Sequence, residues 1–255
     1  MIDSHAHVHD KAFDADRDAV VERARAAGVD RLITVGCDLA DSRHAIEAAR
    51  RYGIFASAGI HPHAANSAPE DVALALAPLI EEPYVVAVGE TGLDFYYSHS
   101  PPDAQERVLR AQIGVARERK LPLIFHVRDA HVRMLQILRE EFEPGMRGVV
   151  HCFTGNADQA EAYVCEFALF LGIGGIVTFK NAATLRDAVK AVGVDALLLE
   201  TDSPYLAPMP LRGRRNEPAF MTHTLETLAQ ILGNDRAAVE STTTENAIRC
   251  FELMR

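Results

Sequence analysis

The 255-residue chain carries 26 Lys and Arg against 36 Asp and Glu, a formal charge of −10. That balance excludes a protein holding nucleic acid by broad electrostatic attraction, so any phosphate must be met by local positive charge. A hydrophobic fraction of 48% suffices for a full core, and the longest apolar run, FALFLGIGGIV, is too short and glycine-rich to span a bilayer. Cys37, Cys152, Cys165 and Cys250 lie far apart without C-x-x-C spacing, which argues against a disulfide framework or thiolate zinc site. With no basic-then-apolar leader pattern at the N-terminus, the expectation is a soluble cytoplasmic protein, monomeric or weakly oligomeric, with one domain over 1–255.

The first predicted strand is IDSHAHV, which carries His5 and His7 on one side, with His9 following at the same spacing. Imidazoles side by side need partners for each nitrogen, and a shared divalent metal supplies one. Next come the strands RLITVGC, FASAGIH, VVAVGE, LPLIFHV, RGVVHCF, LFLGIGG and LLLETD. Between them lie helical patterns such as DADRDAVVERARAAG, PDAQERVLRAQIGVARERK and NAATLRDAVKAVG. Apolar strands alternating with amphipathic helices imply a parallel sheet covered on both faces, and eight such units imply a (β/α)8 TIM barrel. GIGG lacks the spacing of a dinucleotide fingerprint and fits close packing at a strand end. The chain ends in a helix over FMTHTLETLAQILG and another starting near TTTENAIRCFEL, where Thr242 and Glu245 have capping-box spacing.

Polar residues terminate these strands: His5 and His7 the first, His61 the third with His63 just beyond, Glu90 the fourth, His126 the fifth, His151 the sixth and Asp202 the eighth. In a barrel these ends converge on the face where active sites form. Together they make a nitrogen and oxygen ligand set without sulfur. Six ligands exceed what one catalytic zinc requires, and a central carboxylate such as Glu90 can bridge two ions. The pattern predicts a binuclear metallohydrolase. Histidine-rich ligation suits Zn2+ or Mn2+, with Mg2+ the ion many nucleases use.

The ordered segments DSHAHVH, AGIHPHAA, VGETGLDFYY, FHVRDA, HCFTG, LLLETDSPYLAP, RGRRNEP and TTTENAIRCF resemble those of the TatD family of metal-dependent deoxyribonucleases, over the whole chain. The resemblance implies His5, His7 and Asp202 on one metal, His126 and His151 on the other, and Glu90 between them. It implies Asp202 as proton acceptor, with Glu90 also in the catalytic centre. DNA is the implied substrate, attacked from a 3′ end, with RNA or tRNA as further partners and no membrane. His61 is expected behind the metal ligands or at the substrate, and Arg212, Arg214, Arg215 and Asn216 of RGRRNEP at the substrate phosphate. His63 is expected to orient a loop, and Asp94 to orient a metal histidine or make a turn. Arg128 and Lys180 could meet phosphate or serve in scaffold ion pairs, and Tyr96, Tyr97 and Phe95 could stack a terminal base. His44, His99, His131 and His223 are read as surface or packing residues. Two rival readings are an ester or amide hydrolase on the same metals, such as a D-aminoacyl-tRNA deacylase, and a non-catalytic metal-dependent binding module.

Overall fold

The computed structural model describes residues 1–97 and 99–253. Eight parallel strands form one sheet in sequence order. They are β1 (Ile2–Ala6), β2 (Arg31–Val35), β3 (Phe55–Ala58), β4 (Val85–Asp94), β5 (Leu123–Arg128), β6 (Gly148–Val150), β7 (Phe170–Ile173) and β8 (Leu197–Leu199). The ends of this sheet meet: Ser4 Oγ donates to the Leu199 carbonyl at 3.0 Å, and the Asp202 N–H donates to the His5 carbonyl at 2.9 Å. The sheet thus curls almost to a closed (β/α)8 barrel, as the alternating pattern predicts.

Helices cover its outside: α1 (Arg17–Ala26), α2 (Leu39–Tyr52), α3 (Val72–Ile80), α4 (Pro102–Arg119), α5 (His131–Glu141), α6 (Ala157–Phe167), α7 (Ala183–Val192), α8 (Met221–Leu232) and α9 (Arg236–Phe251). Their starts follow local chemistry. Asp38 caps α2 through the N–H groups of Ala40 and Asp41, and Asn156 with Gln159 forms a full capping box on α6. The Thr242–Glu245 spacing misleads. Helix α9 begins six residues earlier, where Asp235 accepts from the N–H groups of Ala237 and Ala238. The threonines lie inside the helix, where Thr243 satisfies its hydroxyl by donating back to the Val239 carbonyl at 2.8 Å.

Inside the barrel, Ile2, Ile33, Ala87, Ile124, Val149 and Leu198 pack with Cys250, Phe251 and Leu253 from the C-terminal end of α9 and beyond. This apolar plug fills one end. Strand alternation then places the next inward residues above it, so Ile124 is followed by His126, Val149 by His151, and Leu198 by Glu200. Two strands break step. The β1–β2 pairing shifts between Asp3 and Ala6, and the β4–β5 pairing shifts between Val88 and Thr91. These irregularities fall on the stretches carrying His5 and Glu90, and such bulges re-aim side chains next to active sites. Gly92 allows β4 to lie against β5, since a Cβ there would sit 1.9 Å from the His126 carbonyl oxygen.

Candidate metal centre

The structure brings His5, His7, Glu90, His126, His151 and Asp202 into one cluster at the C-terminal end of the barrel. Glu90 is buried at its middle. Its Oε2 lies 3.5 Å from His5 Nε2. Its Oε1 lies 3.0 Å from His126 Nδ1 and 3.4 Å from His151 Nε2. Asp202 Oδ1 is 3.5 Å from His7 Nε2 and 3.9 Å from His5 Nε2. Donor atoms of His5, His7 and Glu90 form one group within 4.8 Å, those of Glu90, His126 and His151 another, and those of His5, His151 and Asp202 a third.

The residues fit divalent cations. His5 Nε2 and His7 Nε2 face each other at 3.3 Å, and each also faces a carboxylate. At most one proton can lie between those two nitrogens, so lone pairs converge on a buried centre. The electrostatics ask for positive charge. Burial disfavours an ionised Glu90, yet the imidazoles of His61, His151, His126 and His5 outweigh it and hold the carboxyl well below its usual range. Burial likewise opposes ionisation of Asp202, and His7, His151 and His5 overcome it. Burial and His151, stacked 3.5 Å away, push the pKa of His5 down, the direction a metal ligand would require. Burial also works against charge on His151, but the Glu200 and Glu90 carboxylates raise it to about 9. Bound cations would satisfy the same carboxylates.

A ring of further groups aims the ligands. His7 Nδ1 meets the Val35 carbonyl at 2.8 Å, which leaves Nε2 for the centre when Nδ1 carries the proton. Asp94 Oδ2 lies 2.9 Å from both His126 Nε2 and His63 Nε2. Its Oδ1 also makes a turn, accepting the N–H groups of Tyr96 and Tyr97. His61 stands nearer the ligands than a purely outer residue, with Nε2 3.5 Å from Glu90 Oε1, and burial lowers its pKa to about 3. His9 departs from the cluster and bonds Thr34 Oγ1 at 2.7 Å and Asp41 at 3.1 Å.

Two residues escaped the sequence reading. Glu200 Oε1 lies 3.2 Å from His151 Nδ1 and accepts the Cys152 N–H at 2.6 Å. Its position at the C-terminal end of β8, two residues after the inward-facing Leu198, was the available signal. Cys37 Sγ sits 3.9 Å from Glu90 Oε2 and 4.0 Å from His7 Nδ1, its thiol pushed up to about 11 chiefly by burial. Nothing in its sequence neighbourhood marked it.

The RGRRNEP loop divides. Asn216 is buried and donates both amide hydrogens, to the carbonyls of Thr201 and Tyr205, so it has none to offer a phosphate. Arg215 is bound to both Asp16 oxygens at 2.7 and 2.8 Å and to the Ala12 carbonyl, over the Phe13 ring. Both side chains are engaged in pinning the loop, whereas the sequence pattern places them at the substrate. Arg212, 4.4 Å from the Phe179 ring, and Arg214 are exposed and have no ion pair among the described residues. Of the histidines read as packing residues, His131 bonds the Tyr163 hydroxyl at 3.1 Å, whereas His99 stacks on Tyr97 beside the site.

An almost closed (β/α)8 barrel with buried imidazoles and carboxylates at its C-terminal face defines a metallohydrolase architecture. The sequence profile of the TatD related DNases matches residues 2–252, and the chain belongs to that family. It is 40% identical to the uncharacterized metal-dependent hydrolase YabD of Bacillus subtilis, over 99% of each chain. It is also 40% identical to the 3′-5′ ssDNA/RNA exonuclease TatD of Cronobacter sakazakii, covering 98% of this chain and 97% of that one. The crystal structure of YjjV, a TatD homologue from Escherichia coli, superposes with a TM-score of 0.93 at 28% identity, covering 100% of this chain and 98% of that one.

Proposed function

We propose that this chain is a 3′-5′ exonuclease on single-stranded nucleic acid, with two divalent ions held by His5, His7, Glu90, His126, His151 and Asp202. The observation that carries the reading is the split of Glu90, one oxygen toward His5 and the other toward His126 and His151. The names of the nuclease relatives support the substrate class. When bound, such ions supply Lewis acidity for a phosphoryl oxygen and an acidified water. Asp202, held ionised by its histidine neighbours, accepts the water's proton. Asp94 and Glu200 keep His126 and His151 in fixed orientation. Arg212 and Arg214 bring the local positive charge that an acidic protein needs to hold a strand.

The test is a substrate panel. Protein stripped with a chelator and reloaded with Mn2+, Mg2+ or Zn2+ is offered single-stranded DNA, single-stranded RNA and D-aminoacyl-tRNA. Stepwise loss of 3′ nucleotides supports the proposal. Release of amino acid without loss of nucleotides would replace it with a deacylase.

A further inference from the structure

Most arginines near the barrel rim are tied to carboxylates. Arg17 bonds Asp14, Arg23 bonds Glu217, Arg133 bonds Glu106 and Arg215 bonds Asp16. Arg128, like Arg212 and Arg214, is not so tied, and of the three it is the one that extends a strand carrying a cluster histidine. It ends β5 two residues after His126, on the same side of the strand, and is exposed. Among the described residues its guanidinium has no hydrogen bond or ion pair. It rests instead on two aromatic rings, 4.0 Å from the centroid of Tyr96 and 4.8 Å from that of Tyr97.

The mount is itself anchored to the metal cluster. Asp94 Oδ1 accepts the backbone N–H groups of Tyr96 and Tyr97 at 3.0 and 2.9 Å, while its Oδ2 faces His126 at 2.9 Å. The Phe95 N–H donates to the Arg128 carbonyl at 2.9 Å. Tyr97 is backed by His99, 5.6 Å away at 23°. One carboxylate therefore fixes both a cluster histidine and the platform under Arg128.

A cation held through its π face keeps its N–H edge unspent, whereas one held by a carboxylate does not. In a chain with ten more acidic than basic residues, an unpaired guanidinium beside a phosphoryl-transfer site has one evident match: its planar fork fits the two non-bridging oxygens of a phosphate. We propose that Arg128, mounted on Tyr96 and Tyr97, grips a phosphate of the bound strand beside the metal centre; this rests on the nuclease reading above. Of the two roles open to Arg128, phosphate contact and scaffold ion pair, the described residues supply no partner for the second.

The test uses metal-loaded protein and a 5′-fluorescein single-stranded oligonucleotide with phosphorothioate linkages, its Kd measured from about 50 to 200 mM salt. Arg128→Gln should weaken binding about tenfold and flatten the slope of log K against log salt by about 0.7, the value for one lost contact on a single strand. Arg128→Lys should keep the slope while losing part of the affinity, because charge survives and the fork does not. Tyr96→Leu with Tyr97→Leu should behave like Arg128→Lys. Metal content should be unchanged in all three. Weakened binding with an unaltered salt slope in Arg128→Gln, or loss of metal from it, would overturn direct phosphate contact. Wild-type affinity and slope in Arg128→Gln, in a preparation that still digests DNA, would overturn this inference and leave the nuclease reading intact. Wild-type protein that neither binds nor cuts the unmodified strand would overturn both.

Discussion

Glu200 sits behind His151 in a space that only a glycine leaves open: a Cβ on Gly172 would lie 2.1 Å from Glu200 Oε2. The carboxylate is fully buried, and its other oxygen receives His151 Nδ1 at 3.2 Å and the Cys152 N–H at 2.6 Å. Gly172, the β7 residue that opens the GIGG stretch, thus serves the cluster indirectly, by making room for the carboxylate behind His151.

Gly172→Ala should therefore act at a distance. Displacing Glu200 frees the His151 ring, and losing a partner of this kind typically costs 10–100-fold in metal affinity or activity. Glu200→Gln should do the same more mildly, because the amide oxygen can still accept from Nδ1. Metal titration of chelator-stripped protein checks both variants. An unchanged affinity in Gly172→Ala would show that Glu200 has no part in holding His151.

Asp202→Asn should cut turnover by about 10²–10⁴ while leaving oligonucleotide affinity close to that of the parent. The amide keeps the side chain's shape beside His7 but cannot take up a proton. Single-turnover rates at saturating metal are the readout. Comparable rates in the two proteins would remove Asp202 from proton transfer.

The loop arginines should separate by role. Arg212→Gln with Arg214→Gln should raise KM for single-stranded DNA and reduce its salt dependence with little change in melting temperature, since neither makes an ion pair or side-chain hydrogen bond among the described residues. Arg215→Gln should lower the melting temperature, because it releases Asp16 and the Ala12 carbonyl. Equal losses of stability in both variants would contradict this division.

Asp16 provides a pH signature for the same clamp. Arg215, then Arg23, hold its carboxyl down at about 2. A carboxyl depressed on folding contributes stability above its unfolded pKa, near 3.8, and that contribution is lost as pH falls through about 2. Asp16→Asn should melt below the parent at pH 7, and the two curves should converge as the pH approaches 2. A constant gap across that window would show that the ion pair is not what Asp16 contributes.

Much of this was legible in the sequence because parallel strands end at one face. Once eight apolar runs alternate with helices, a polar residue at each C-terminal end must lie near the others, and His126, His151 and Glu90 follow from that alone. Partners supplied by distant segments were not legible. Asn216 looks like a phosphate donor until the carbonyls of Thr201 and Tyr205 take its hydrogens, and Arg215 does so until Asp16, about 200 positions earlier, claims it. The start of α9 was misplaced because Thr242 and Glu245 mimic a cap that Asp235 already provides.

The bridging position of Glu90 is the centre of the account, and counting metal ions tests it most directly. Chelator-stripped wild-type protein, titrated with Mn2+ and assayed by elemental analysis after desalting, should retain two equivalents per chain. Glu90→Ala, folded by circular dichroism, should retain neither at the same free concentration. One equivalent in the wild type, or two in the variant, would contradict a carboxylate shared between His5 on one side and His126 and His151 on the other.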